Sequence, residues 1–145
     1  MDELINSCLE SLKAANIIIE NGKEAISREN LPQFQEVWVR YVMPLEGKEV
    51  QLLKGTNRIL KVDNEGLTRI SINNKKSTVP KAVFEYTYNT LKRSPSGTIK
   101  RVDDILKYAK TRGSLSSSIV VGVLAQAVPF IERIEGSKGL RILLK

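Results

Sequence analysis

The spacing of apolar residues changes period along this chain, and those changes divide it into stretches that cannot share one kind of secondary structure. From Asp2 to Asn21, the residues Leu4, Ile5, Cys8, Leu9, Leu12, Ala15 and Ile19 recur at helical intervals, and Gly22 is a natural stop. Asn30 then reads as an N-cap with Pro32 in the first helical turn. Phe34, Val37, Trp38, Tyr41 and Val42 keep helical spacing until Pro44 ends the segment. These two stretches predict a helical hairpin over residues 1–46, with the aromatic side chains in a core and a smaller expectation of a partner or dimer contact.

Between Lys48 and Thr78 the runs become short and β-branched: Val50–Leu53, Arg58–Val62, Leu67–Ile72 and Ser77–Val79. Gly55-Thr56-Asn57, Asp63-Asn64-Glu65-Gly66 and Asn73-Asn74-Lys75-Lys76 separate them with turn-forming residues. That pattern predicts a small antiparallel meander with one solvated face. Helical spacing resumes at Pro80, with Val83, Phe84, Thr87, Tyr88 and Leu91 as a buried stripe up to Arg93. After Ser94-Pro95-Ser96-Gly97, Thr98-Ile99 suits a short strand and Arg101 to Lys110 a second helix. Ser114 or Ser116 caps a third helix ending near Ala127, and Phe130–Ile134 and Leu140–Leu144 read as two strands joined by a glycine-bearing loop.

The expected fold class is α+β: an N-terminal helical hairpin (residues 1–46), then a small antiparallel β-meander and a C-terminal winged-helix-like unit (residues 47–145). At 145 residues the whole is short enough to form one compact domain. With 41% hydrophobic and 27% charged residues, the chain can bury a core without disulfides or metals.

Charge is also unevenly divided along the chain. Residues 1–57 hold six Lys/Arg against nine Asp/Glu, a balance of −3, while residues 58–145 hold seventeen against seven, a balance of +10. A field concentrated on one half is the footprint of a polyanion-binding surface, although lysine-rich surfaces also serve solubility. In a winged helix the third helix enters the major groove and the hairpin loop reaches the neighbouring backbone. On that scheme the DNA-contacting candidates are Lys107, Lys110 and Arg112 at the end of the second helix, Ser114, Ser116 and Ser117 at the start of the third, Gln126 on its outer face, Lys138 at the loop tip, and Arg141 on the last strand. That third helix fits the scheme poorly. Ile119, Val120, Val123, Leu124 and Ala127 form its core stripe, and its other face carries Ser118, Val121, Gly122 and Ala125 without the Arg, Asn or Lys that read base edges. Binding is therefore expected to run mainly through backbone phosphates, with that face covered by the amino-terminal half or a second subunit.

Gly66-Leu67-Thr68-Arg69-Ile70, Val79-Pro80-Lys81-Ala82-Val83-Phe84, Gly97-Thr98-Ile99 and Ser117-Ser118-Ile119-Val120-Val121-Gly122-Val123-Leu124-Ala125 together resemble a module of prokaryotic restriction and related defence proteins. There a strand hairpin leads into a proline-opened helix and a compact helical DNA-binding unit. The resemblance covers residues 58–145 and implies a DNA-binding or accessory role, without nominating a catalytic residue.

The chain has no histidine and one cysteine, Cys8. That removes Ser-His-Asp and Cys-His nucleophile systems, histidine-ligated zinc and cysteine-rich metal sites. Asp103 and Asp104, adjacent on a helix, point about 100° apart and chelate poorly. Asp63 and Glu65 read as a hairpin turn. No catalytic residue, metal or cofactor is expected. The leading expectation is non-catalytic binding of double-stranded DNA, as a regulator or the recognition part of a restriction or defence system. The alternative is a protein-interaction adaptor or an antitoxin- or immunity-like subunit, whose partner, or a second copy, docks through the N-terminal helices. RNA binding ranks last, because its stacking candidates Tyr86, Tyr88 and Tyr108 lie on helices. The lone cysteine and the acidic, non-signal start point to a cytoplasmic setting, and no apolar run is long enough for a membrane span.

Overall fold

The computed structural model describes residues 23–53, 55–71, 73–106, 117–135 and 137–145. It is a mixed α+β fold: four helices, a four-stranded antiparallel sheet and a smaller three-stranded sheet among the described residues. The helix expected over Asp2 to Asn21, with Cys8, lies outside them.

The second expected helix is present but irregular. A 3-10 turn (Arg28–Asn30) precedes helix α1 (Phe34–Val37), which widens into a π turn (Trp38–Val42) and ends in a 3-10 turn (Met43–Leu45). Asn30 does not cap it. Gln33 stands at the cap, Pro32 precedes the helix, and Pro44 lies inside the final turn instead of ending the segment. The aromatic residues do form core: Phe34 and Trp38 are buried, and their rings meet those of Tyr88 and Phe84 at centroid distances of 5.9 and 5.4 Å.

Strands β1 (Glu49–Gln51), β2 (Thr56–Val62), β3 (Gly66–Ile70) and β4 (Lys76–Pro80) make the meander in sequence order. The β2–β3 turn closes because Asp63 Oδ1 accepts from the backbone N–H groups of Glu65 (2.8 Å) and Gly66 (3.2 Å), which also hold its carboxyl below the ordinary range. Val50, Ile59, Val62, Leu67 and Val79 face inward. Both edges are protected. Lys75, Lys76 and Pro80 flank the β4 edge, and the β1 edge is taken up by side chains from the other half of the molecule.

Helix α2 (Lys81–Arg93) follows directly, its buried residues being the expected stripe Val83, Phe84, Thr87, Tyr88 and Leu91. Then come β5 (Thr98–Ile99), α3 (Val102–Leu106), α4 (Ser117–Ala127), β6 (Ile131–Arg133) and β7 (Leu140–Ile142), with strands ordered β5-β7-β6. Helix α2 packs against strands of both sheets, and one continuous buried cluster runs through the molecule. The last residues are tied to the first described ones. Ile26 N–H donates to Leu143 O (2.8 Å), and Lys145 N–H donates to Ile26 O (3.0 Å).

Helix α4 corrects the expectation of a groove-facing helix. Val121 and Gly122, on the face that a duplex would meet, are buried. Strand β1 and Leu52 cover them so closely that a Cβ on Gly122 would lie 2.6 Å from Leu52 Cδ2 and 3.2 Å from the Gln51 carbonyl oxygen. This crossing is the cover anticipated from the amino-terminal half. The amide of Gln126 completes it like an added strand: its Oε1 accepts from Gln51 N–H (3.1 Å) and its Nε2 donates to Glu49 O (2.9 Å). Gln126→Ala is expected to lower unfolding free energy by about 1–2 kcal/mol through these two bonds. Denaturant titration checks that expectation.

Candidate nucleic-acid interface

The smaller sheet and the start of α3 hold a set of cations that are distant in sequence. Helix α2 ends on Lys92 and Arg93, and the turn after it is closed by Ser94, whose Oγ donates to Thr98 O (3.1 Å) and accepts from Thr98 N–H (3.3 Å). Arg28 fixes the same turn from outside, donating to Lys92 O (2.9 Å), Ser94 O (3.1 Å) and Pro95 O (3.0 Å) at and just beyond the helix end, where Ser94 O also accepts from Gly97 N–H (3.0 Å). The turn therefore returns Lys100 and Arg101 beside Arg93. All three line a shallow cleft of about 440 Å³.

Cross-strand pairing adds the C-terminal strand. Thr98 stands opposite Arg141, which stands opposite Glu132, so the outer face of the smaller sheet carries these three side chains in a row. Arg141 donates through Nε to Glu132 Oε2 at 2.6 Å. The β6–β7 loop arrives from the other side. Val102 N–H donates to Lys138 O (2.9 Å), and Lys138 Nζ lies 3.7 Å from Asp103 Oδ2, an oxygen shared with Arg101 at 3.5 Å. Lys138 is thus not a free loop tip, because its backbone is bound to the first residue of α3. Gly139 permits that approach, since a Cβ there would sit 2.5 Å from Lys100 O.

Asp103 is the electrostatic centre of this arrangement. The Ser117 hydroxyl, against a weaker opposing effect of burial, holds its carboxyl below the usual range, and Lys138 and Arg101 add to the shift. A group with a depressed pKa stays ionised at neutral pH, and its pairing is lost only on acidification through that lowered value. At neutral pH it therefore competes with any external anion for two cations. Asp103→Asn is expected to tighten the binding of a polyanion such as heparin severalfold while lowering stability slightly through the Ser117 contact. Unchanged or weaker affinity in a titration would contradict the competition.

Among the sequence-derived candidates, Lys138 and Arg141 belong to this surface. Ser117 does not: it is buried and turned to Asp103. Gln126 is spent on β1. Lys107, Lys110, Arg112, Ser114 and Ser116 lie outside the described residues. Tyr88, a stacking candidate, is fully buried with its hydroxyl donating to Pro32 O (2.7 Å). Arg93, Lys100 and Arg101 were the omissions. Their signal was the pair of dibasic steps, Lys92-Arg93 and Lys100-Arg101, on either side of a turn-forming Ser-Pro-Ser-Gly.

The resulting surface carries Arg93, Lys100, Arg101, Lys138 and Arg141 against Asp103, Asp104 and Glu132. Among the described residues no carboxylate lies within ion-pair distance of Arg93 or Lys100, and no group of acidic, histidine or cysteine side chains could hold a metal ion. No helix among the described residues is long and apolar enough to cross a membrane. Comparison of the chain with family models, with curated proteins and with solved structures found no match in any of the three.

Proposed function

We propose that residues from α2 to β7 form a winged-helix-like unit that binds double-stranded DNA without catalysis, along its phosphates, in a recognition or regulatory role. The element order helix, strand, helix, helix, strand, loop, strand supports the first part, as does the strand order β5-β7-β6. The observation that carries the binding is the meeting of cations from three separate segments: Arg93, Lys100 with Arg101, and Lys138 with Arg141. The connecting segment 107–116 adds Lys107, Lys110 and Arg112 in sequence with no carboxylate.

The covered face of α4 shapes how such a unit binds. With Val121 and Gly122 under β1, no helix face presents side chains to base edges there, so phosphate contact supplies the affinity and little sequence is read. The same cover leaves Val121 and Gly122 unavailable to a protein partner as well. Phosphate-dominated binding is steeply salt-dependent. Neutralising five phosphates gives a slope of log affinity against log salt of about −4 to −5. Anisotropy titrations of two unrelated duplexes across a salt series test this. Similar affinities with that slope are expected, whereas no binding at low salt, or a strong preference for one sequence, would overturn it.

A further inference from the structure

The cleft bounded by Arg93, Lys100 and Arg101 differs in shape from a surface that only follows a duplex backbone. Its lining includes the aliphatic residues Pro95, Ile99 and Ile105, of which Pro95 is exposed, Ile105 half-buried and Ile99 mostly buried. A volume of about 440 Å³ falls within the range of small-ligand clefts, roughly 300–1,000 Å³. Cations and aliphatic side chains lining one cleft suit a ligand with a compact anion joined to a flat, weakly polar body. Asp104 on the wall offers an acceptor for a sugar hydroxyl or a base amino group.

We propose that this cleft binds a nucleotide 5′-monophosphate, free or at the end of a strand. A terminal phosphomonoester carries a charge of about −1.5 to −2 at neutral pH, against −1 for a backbone diester. Three converging cations therefore favour the end over the interior of a strand. The unpaired or fraying base of a terminal nucleotide can also lie on Pro95, Ile99 and Ile105, which a base held in a duplex cannot do. The turn hydroxyls of Ser94 and Thr98 are engaged internally, Thr98 Oγ1 donating to Ser96 O (3.3 Å), so the charged side chains supply the anion contacts. This inference rests on the same surface as the proposed DNA binding, but it is tested separately.

The full chain is titrated with deoxyadenosine monophosphate, deoxyadenosine and inorganic phosphate while isoleucine methyl signals are followed by NMR. In parallel, linear duplexes with and without 5′-phosphates are compared by anisotropy. Expected are shifts at Ile99 and Ile105 with the monophosphate at a dissociation constant of about 1 mM or tighter, and none with the nucleoside. The 5′-phosphorylated duplex should bind about tenfold tighter than its unphosphorylated form, a preference that Arg93→Ala with Lys100→Ala removes. Monophosphate binding without any duplex binding supports the cleft and overturns the wider DNA reading. Monophosphate binding without an end preference supports the cleft and makes the free nucleotide its ligand. Duplex binding with no monophosphate binding and no end preference overturns the cleft alone. Inorganic phosphate matching the monophosphate also overturns it, since the aliphatic lining would then contribute nothing.

Discussion

Trp38→Ala is expected to lower the unfolding free energy by about 3–5 kcal/mol, against a typical total of about 5–15 kcal/mol for a domain. Trp38 is fully buried where α1 widens into its π turn, and it touches both parts of the molecule. Its ring lies 5.7 Å from Phe34 and 5.4 Å from Phe84 of α2, and its indole N–H donates to Asp63 O (3.0 Å) in the β2–β3 turn. Alanine removes the ring, leaves a cavity and frees a partly buried carbonyl. Trp38→Phe keeps the aromatic contacts and loses the hydrogen bond, so its expected cost is smaller, about 1–2 kcal/mol. Far-UV circular dichroism must report the denaturant midpoint, because Trp38 is the only tryptophan. A cost for alanine below about 1 kcal/mol would show that this ring does not join α1, α2 and the meander.

Removing Arg93, Lys100 and Arg101 together is expected to give the largest functional effect. Each exposed cation that meets a phosphate contributes modest, salt-sensitive affinity and close to one unit of salt slope. The triple alanine variant should therefore flatten the slope by about 3 and weaken binding by about 100-fold at low salt. The loss should be the same for duplexes of different sequence. The three side chains sit on the surface, so far-UV spectra and thermal midpoint should stay near those of the parent chain. Changing Arg58, Lys61 and Lys76 on the meander removes as much charge from another region. Equal losses from both triples would mean that net charge, not this cleft and its rim, governs binding.

How much of this was legible in the sequence depended on whether a feature is local. The stripe of α2 could be read because its period is unbroken and Pro80 and Ser94-Pro95 punctuate both ends. The meander was legible for the same reason, since Asp63, Asn64 and Gly66 specify their turn without outside help. The irregularity of α1 was not. Phe34, Val37, Trp38, Tyr41 and Val42 keep helical spacing, whereas the structure has a π turn over Trp38–Val42 in which Trp38 meets Phe84 of α2 and Asp63 O and Val39 is exposed.

Burial of α4 was half legible. A face of Ser118, Val121, Gly122 and Ala125 signals cover, but nothing local identifies β1 as the cover. Polar residues misled most. Ser117 and Gln126 look like surface donors, yet a hydroxyl or amide can equally satisfy a neighbouring carboxylate or strand edge. Arg93, Lys100 and Arg101 come together only through the Ser94 turn and the hold of Arg28 on it, a contact spanning more than sixty positions.

The most direct measurement is lysine acetylation of the full chain, free and bound to duplex, read residue by residue by mass spectrometry. Lys100 and Lys138, from different segments on one surface, should be protected together, while Lys75 and Lys76 at the β3–β4 turn stay reactive. Protection of Lys75 and Lys76 with Lys100 and Lys138 still reactive would place the nucleic acid elsewhere on the molecule and contradict the shared basic surface.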